Sequence, residues 1–237
     1  ARGAARHHAV AVGATGAAGF EGAVGQAEAG DAVAVVGAGL SGLTCARTLA
    51  DRGYRVKVFD KARGAGGRMS TRRAGAWSFD HGAQYFTVRD LGFRAPVAAW
   101  RGAGLVAPWA GRIAVLDGGV TVMTADDTER LVAVPGMSAL CRHLARNLDV
   151  CFETRVTGLE PVAAGWRLGS SAGRDLGRFD AVVVAVPAPQ AAALLEGAAP
   201  ELADRARAVA MSPCWAVMAA FPEQLRLAFE GAFIRRS

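Results

Sequence analysis

Between residues 37 and 72 the chain sets three kinds of group at spacings that suit one chemistry, the binding of a phosphate-bridged nucleotide. Gly37-Ala38-Gly39-Leu40-Ser41-Gly42 supplies the first. Gly37 permits a tight turn, Gly39 lets backbone approach a pyrophosphate, and Gly42 lets a helix pack close to the strand before it. Ser41 falls in the first turn of that helix, whose N-terminus offers unpaired N–H groups and a positive dipole to phosphate. The second group is an acid: Asp60 stands 18 residues beyond Gly42, near the roughly 20 at which a carboxylate accepts hydrogen bonds from a ribose. On that reading Asp60→Asn, which keeps an acceptor, is expected to weaken binding less than Asp60→Ala. The third is a run of cations among glycines, Lys61-Ala62-Arg63-Gly64-Ala65-Gly66-Gly67-Arg68-Met69-Ser70-Thr71-Arg72. Flanked by Gly66 and Gly67, Arg68 can offer a diphosphate its planar fork of donors.

The elements around these groups have the required order. Ala32-Val33-Ala34-Val35-Val36 is a short apolar, β-branched run, as expected of a strand buried on both faces. A helix is predicted after it, with Leu43, Ala46 and Ala50 on one face and Gly53 past its end. Arg55 to Asp60 reads as a second strand ending in the acid. This strand–helix–strand unit predicts a Rossmann-like domain. The second glycine-rich loop then separates two dinucleotides: a nicotinamide dinucleotide has no evident use for it, whereas an extended FAD needs its second phosphate and ribityl chain held.

Farther along, Met137, Leu140, Cys141, Leu144 and Leu148 recur with helical period, with His143 placed on the polar face. Val150 to Val156 and Ala181 to Val186 read as strands, and Asp117-Gly118-Gly119 as a turn. Trp109 and Trp215 read as packing residues. Two motifs are decoys. Gly13-Ala14-Thr15-Gly16-Ala17-Ala18-Gly19 resembles a short-chain dehydrogenase loop, but Gly22, Gly25 and Gly30 argue against the long helix it needs. Gly169-Ser170-Ser171-Ala172-Gly173 fits a hydrolase motif, yet no histidine follows it. A hairpin tip is expected there.

Composition narrows the classes. Of 237 residues 52% are hydrophobic and 20% charged, which excludes a wholly disordered chain. No uncharged apolar stretch approaches the roughly 18 residues of a membrane span. The net charge of +6 is concentrated in residues 31–110, where 12 basic residues face five acidic ones. Because these cations are threaded with glycine rather than spread with aromatics, a small phosphorylated ligand is expected and nucleic acid is not. Cys45, Cys141, Cys151 and Cys214 show no metal-ligand spacing, so no metal site is expected and buried reduced thiols are.

Gly67-Arg68-Met69-Ser70-Thr71 followed by Phe79-Asp80-His81-Gly82-Ala83-Gln84-Tyr85-Phe86-Thr87 resembles the renalase-like branch of the flavin-containing amine oxidase superfamily. So do Val134-Pro135-Gly136-Met137-Ser138, Val184 to Pro189 and Pro213-Cys214-Trp215-Ala216. The resemblance runs from about residue 31 to the C-terminus. It implies an α/β fold: an FAD-binding domain with a parallel sheet, at residues 31–86 and 131–189, and a partial antiparallel-sheet substrate domain at 87–130 and 190–237. It also implies an oxidoreductase in which a small molecule, a dihydropyridine isomer of NAD(P)H or an amine, reduces flavin and dioxygen reoxidises it. The cofactor-binding residues it implies are Gly37, Gly39, Ser41, Gly42, Asp60, Lys61, Gly67, Arg68, Met69, Gly82, Ala83 and Gln84, with Val156 meeting the adenine end through its backbone. No residue is singled out as a catalytic acid or base. Two alternatives stay open, a non-catalytic FAD-binding fragment and an NAD-dependent dehydrogenase. Such proteins carry a further C-terminal portion with an element returning to the flavin, so a fragment is expected. Residues 1–30, Ala- and Gly-rich, are expected to be a disordered or targeting leader. The expected setting is cytoplasmic, or a plastid if that leader is a transit peptide; oligomeric state is left open.

Overall fold

The computed structural model describes residues 10–12, 30–123 and 128–235. Two compact units emerge, Ala1–Ser70 with Ser138–Trp215 and Thr71–Met137 with Ala216–Ser237.

The first unit is built on a five-stranded, wholly parallel sheet of order β1-β14-β2-β3-β10. Its strands are β1 (Val10–Val12), β2 (Ala32–Val36), β3 (Arg55–Phe59), β10 (Asp149–Cys151) and β14 (Ala181–Val184). The central strands are the two valine-rich runs: Val33, Val35, Val182 and Val184 are at most 2% exposed. Successive strand residues face opposite ways, so each face needs a cover. On one side lies α1 (Leu40–Asp51), which buries Leu43, Ala46 and Leu49. On the other, Ala34, Val36, Phe59, Val182 and Val184 share a core with an antiparallel layer and two short helices. That layer is β11 (Val156–Val162), β12 (Gly165–Ser170) and β13 (Asp175–Phe179); the helices are α4 (Ala188–Leu195) and α5 (Pro200–Arg207). Phe59 and Phe179 meet edge to face at 5.8 Å.

The second unit carries the hairpin β4 (Thr71–Ala74) with β5 (Trp77–Asp80), helix α2 (Leu91–Gly102), and a pair of β6 (Val106–Pro108) with β9 (Leu131–Ala133). A three-stranded sheet joins β7 (Ile113–Asp117), β8 (Val120–Met123) and β15 (Gly231–Arg235). The expected turn at Asp117-Gly118-Gly119 links β7 to β8, with both glycines at positive φ.

Several expectations need correction. Val10–Val12, inside the expected leader, runs as a strand beside β14. Residues 1–9 and 13–29 of that leader, with the motif from Gly13 to Gly19, lie outside the described residues. The sheet of the second unit is mixed rather than antiparallel, since β15 runs parallel to β7. Domain boundaries move as well. Residues 71–86 and 131–137 join the second unit: Asp80 accepts hydrogen bonds from Thr71 Oγ1 and the Met137 N–H, and Phe86 bridges Leu131. Residues 190–215 join the first, where Ala191, Leu195, Ala203 and Ala206 complete its core. The helix around Leu140, α3 (Ser138–Leu144), is shorter than its periodicity suggests, and Asn147 adopts a left-handed backbone soon after it. His143 is half-buried, its Nδ1 buried without a partner among the described residues, and not a solvated side chain. Trp215 is 95% exposed and packs nothing.

One ion pair holds β15 at its entry. Arg112 and Glu230 form a two-pronged pair, Nη2 to Oε1 at 2.7 Å and Nε to Oε2 at 3.2 Å, and the Arg112 N–H donates to Oε2 at 2.6 Å. These donors lower the Glu230 carboxyl from its ordinary 4.5 to about 2. A lowered carboxylate stabilises above its unfolded pKa and stops doing so as pH falls through the folded one. Amide protection over 231–235, corrected for intrinsic exchange, is therefore expected to hold down to about pH 4.5 and to fall towards about pH 2. Glu230→Gln should abolish this pH step. A step that survives in the variant would assign it to another group.

Candidate functional site

The first unit brings its two glycine-rich loops together at the carboxyl ends of β2 and β3. The polypeptide leaves β2 through Gly37, whose φ of +116° only glycine adopts readily. The Gly37 N–H donates to Phe59 O at 2.8 Å, tying the turn to the end of β3. A Cβ at Gly42 would lie 2.0 Å from Gly37 O, so glycine is obligatory for the helix to begin this close to the turn. Gly39 is different. Its backbone is extended (φ −82°, ψ −179°) and, among the described residues, a Cβ there would meet only Gly67 Cα, at 3.8 Å. Neither conformation nor packing requires glycine at 39, whereas close approach of something outside the chain would. Among the described residues no side chain caps α1, and no acid stands in its first turn, where Ser41 is exposed. This end of the helix can receive an anion.

Asp60 follows β3 directly, and both its oxygens are engaged. Oδ2 accepts the Ala38 N–H at 2.6 Å, and Oδ1 accepts the Ala62 N–H at 2.7 Å. Spacing alone points this carboxylate at a ribose; the two amide bonds it accepts show only in the fold. Lys61 turns its Nζ to Gln190 Oε1, 3.0 Å away.

The second loop folds back on the first. The Gly66 N–H donates to Ala38 O at 3.0 Å, and Gly67, at φ +55°, would bring a Cβ to 3.1 Å of Gly39 Cα. Gly67–Met69 forms a single 3-10 turn. It divides two neighbours: Met69 is 7% exposed and enters the core, while Arg68 is exposed and bonds no described residue. The predicted strand from Val150 to Val156 is broken at Glu153, a left-handed residue whose N–H donates to Ala62 O at 2.9 Å. Val156 therefore opens β11 instead, its side chain buried and its backbone paired to Ser170.

Gly82, Ala83 and Gln84 belong to the second unit, in the loop after β5, with Gly82 and Gln84 exposed. Next to them Tyr85 stacks on Trp109 at 5.7 Å, with the Arg130 guanidinium 5.4 Å from the Tyr85 ring centre. Trp109 thus packs as expected. Burial pushes the thiols of Cys45 and Cys141 up, to about 12 and about 11, which makes them inert. Cys214, by contrast, is exposed. No helix among the described residues is long and apolar enough to cross a membrane.

A parallel sheet, a glycine turn entering a helix and an acid closing the next strand define a Rossmann-like dinucleotide-binding protein. Residues 35–92 match the NAD(P)-binding Rossmann-like domain, and residues 111–232, just over half of the chain, match the flavin containing amine oxidoreductases. The chain belongs to that flavin-containing family. Among curated proteins it is similar to the 4,4'-diapophytoene desaturase (4,4'-diaponeurosporene-forming) of Staphylococcus haemolyticus strain JCSC1435, 42% identical over 59 residues. The Staphylococcus aureus strain Newman enzyme of the same name is 36% identical over 59 residues. Each match covers 25% of this chain and 12% of the relative. Among solved structures it resembles a provisionally named protoporphyrinogen oxidase from Exiguobacterium sp. 255-15, with TM-score 0.57 and 13% identity over 74% of this chain and 64% of that one. A putrescine oxidase variant redesigned in cofactor binding gives TM-score 0.53 and 14% identity, covering 67% and 58%. At such identities the likeness is one of fold.

Proposed function

We propose that this chain carries the FAD-binding part of an oxidoreductase that oxidises a small molecule. The observation that supports it most is Gly39, a glycine that the protein's own conformation and packing leave unexplained and that a pyrophosphate lying against the loop explains. In this reading Gly37, Gly39, Ser41 and Gly42 present backbone and the start of α1 to the first phosphates. Asp60 and Lys61 stand at the adenosine ribose, Val156 offers backbone to the adenine, and Gly67 and Arg68 hold the second phosphate, with Met69 anchoring their turn through its N–H to Gly66 O and its buried side chain. A bound flavin would supply the hydride-accepting and dioxygen-reactive chemistry, so the protein's task is to bind, orient and exclude side reactions. The finer assignment is renalase-like: the substrate is a dihydropyridine isomer of NAD(P)H rather than an amine.

Purified protein is expected to be yellow, or to become so on adding FAD, with the flavin released by heat or acid. A colourless preparation that takes up NAD instead would overturn the assignment in favour of a nicotinamide-dependent dehydrogenase. For the substrate, anaerobic mixing with dihydropyridine isomers should bleach the flavin band faster than mixing with primary amines. The reverse order would make the protein an amine oxidase.

A further inference from the structure

Asp60 offers more contacts than a ribose-binding acid needs. Its carboxylate receives the Ala38 N–H from the first glycine-rich loop and the Ala62 N–H from the second. The Ala38 peptide is held from its other side too, because its carbonyl accepts the Gly66 N–H. Ala62 O in turn accepts the N–H of Glu153. Asp60's own backbone is fixed at both ends: its N–H donates to Cys151 O at 2.9 Å, and its carbonyl accepts the Thr154 N–H at 2.8 Å. The acid is thus anchored to the strand end beside it while its side chain reaches into both loops. Lys61, the nearest cation in sequence, turns away to Gln190, and the charge of Asp60 is met by amide dipoles.

We propose that Asp60 is a positioning residue that locks the two glycine-rich loops in register through the peptides of Ala38 and Ala62, and acts on the dinucleotide's phosphates by that route as well as at the ribose. This rests on the cofactor reading above. It reverses the expectation for Asp60→Asn. A carboxylate accepts at both oxygens, whereas an amide accepts at one and donates at the other. In either flip an –NH2 would face the N–H of Ala38 or of Ala62. Asparagine therefore loses one of the two bonds and sets two donors against each other, so it should behave like alanine.

The test is amide hydrogen exchange on the full-length apoprotein, read over 37–42 and 61–69, together with FAD titration of Asp60→Asn, Asp60→Ala and Asp60→Glu. In Asp60→Asn and Asp60→Ala, exchange in both loops should quicken about tenfold, with β2 and β3 unchanged, and FAD affinity should fall about tenfold in both alike. Asp60→Glu, which keeps two acceptors, should recover part of each. Slow exchange in both loops with FAD affinity lost would overturn the proposal and leave the acid a ribose contact alone. Faster exchange throughout β2 and β3 that Asp60→Glu does not repair would overturn it too, as a general support of the fold. If wild-type protein binds no FAD while the loops still loosen in Asp60→Asn, the lock stands and the cofactor reading fails.

Discussion

Gly39→Ala is expected to leave the apoprotein as stable as the wild type, to within about 0.5 kcal/mol, while lowering FAD affinity about a hundredfold or more. The extended backbone at 39 suits alanine, and among the described residues the new methyl group would have no closer neighbour than Gly67 Cα at 3.8 Å. A slightly stiffer unfolded chain offsets the modest preference for glycine at a helix N-cap. A phosphate lying on the loop would meet that methyl instead. Displacing it by a fraction of an ångström lengthens its charge-assisted bonds to backbone N–H groups, which contribute about 1.5–3 kcal/mol each. Gly42→Ala is the contrast. Its Cβ would stand 2.0 Å from Gly37 O and 3.2 Å from Ala185 Cβ, so backbone must move and the apoprotein should lose at least about 1–3 kcal/mol. Thermal melts of the apoproteins and FAD titrations separate the two effects. Wild-type FAD affinity in Gly39→Ala would mean that nothing approaches the loop there.

The contrast also marks what could be read from the sequence. Gly37, Gly39, Gly42 and Asp60 are bound to local geometry, a turn, a helix start and a strand end, and their spacing together with the apolar runs beside them located β2, α1 and β3. What escaped depends on partners distant in sequence. The run Ala181 to Val186 reads as a strand, but its place as one neighbour of β2, about 150 residues away, does not, and β1 on its other side comes from an Ala- and Gly-rich stretch without a strand-like pattern. Helix α4, half alanine, carries little contrast between its faces, and the buried face of α5 is only Ala203 and Ala206 among charged residues, so neither shows in sequence which core it closes. The resemblance implies Met69 beside Arg68 as cofactor residues, and the 3-10 turn after Gly67 buries the Met69 side chain while leaving that of Arg68 exposed. The second role of Asp60 left only a weak trace, a short acid between two glycine-rich loops whose peptides it can reach.

Of the arginines in or near the second loop, Arg68 is expected to matter far more to FAD than Arg72 or Arg142. Arg142 is already engaged, its Nη1 donating to Ser138 Oγ at 2.5 Å, and Arg72 stands exposed on β4. Arg68 follows Gly67, the residue packed against Gly39, so its side chain starts beside the first loop, and it spends no hydrogen bond on a described residue. A guanidinium drawn onto a diphosphate and shielded from water gains a charge-assisted bond of about 1.5–3 kcal/mol. Arg68→Ala should therefore weaken FAD binding about ten- to a hundredfold, while Arg72→Ala and Arg142→Ala change it less than about threefold. Because the side chain is exposed without ligand, the apoprotein's melting temperature should not move. Salt supplies a second check, since screening reduces whatever part of the contribution stays open to solvent. The difference between wild type and Arg68→Ala should narrow as ionic strength rises. Equal losses in all three variants at low salt would make Arg68 one more surface cation and move the diphosphate off the Gly66–Arg68 turn.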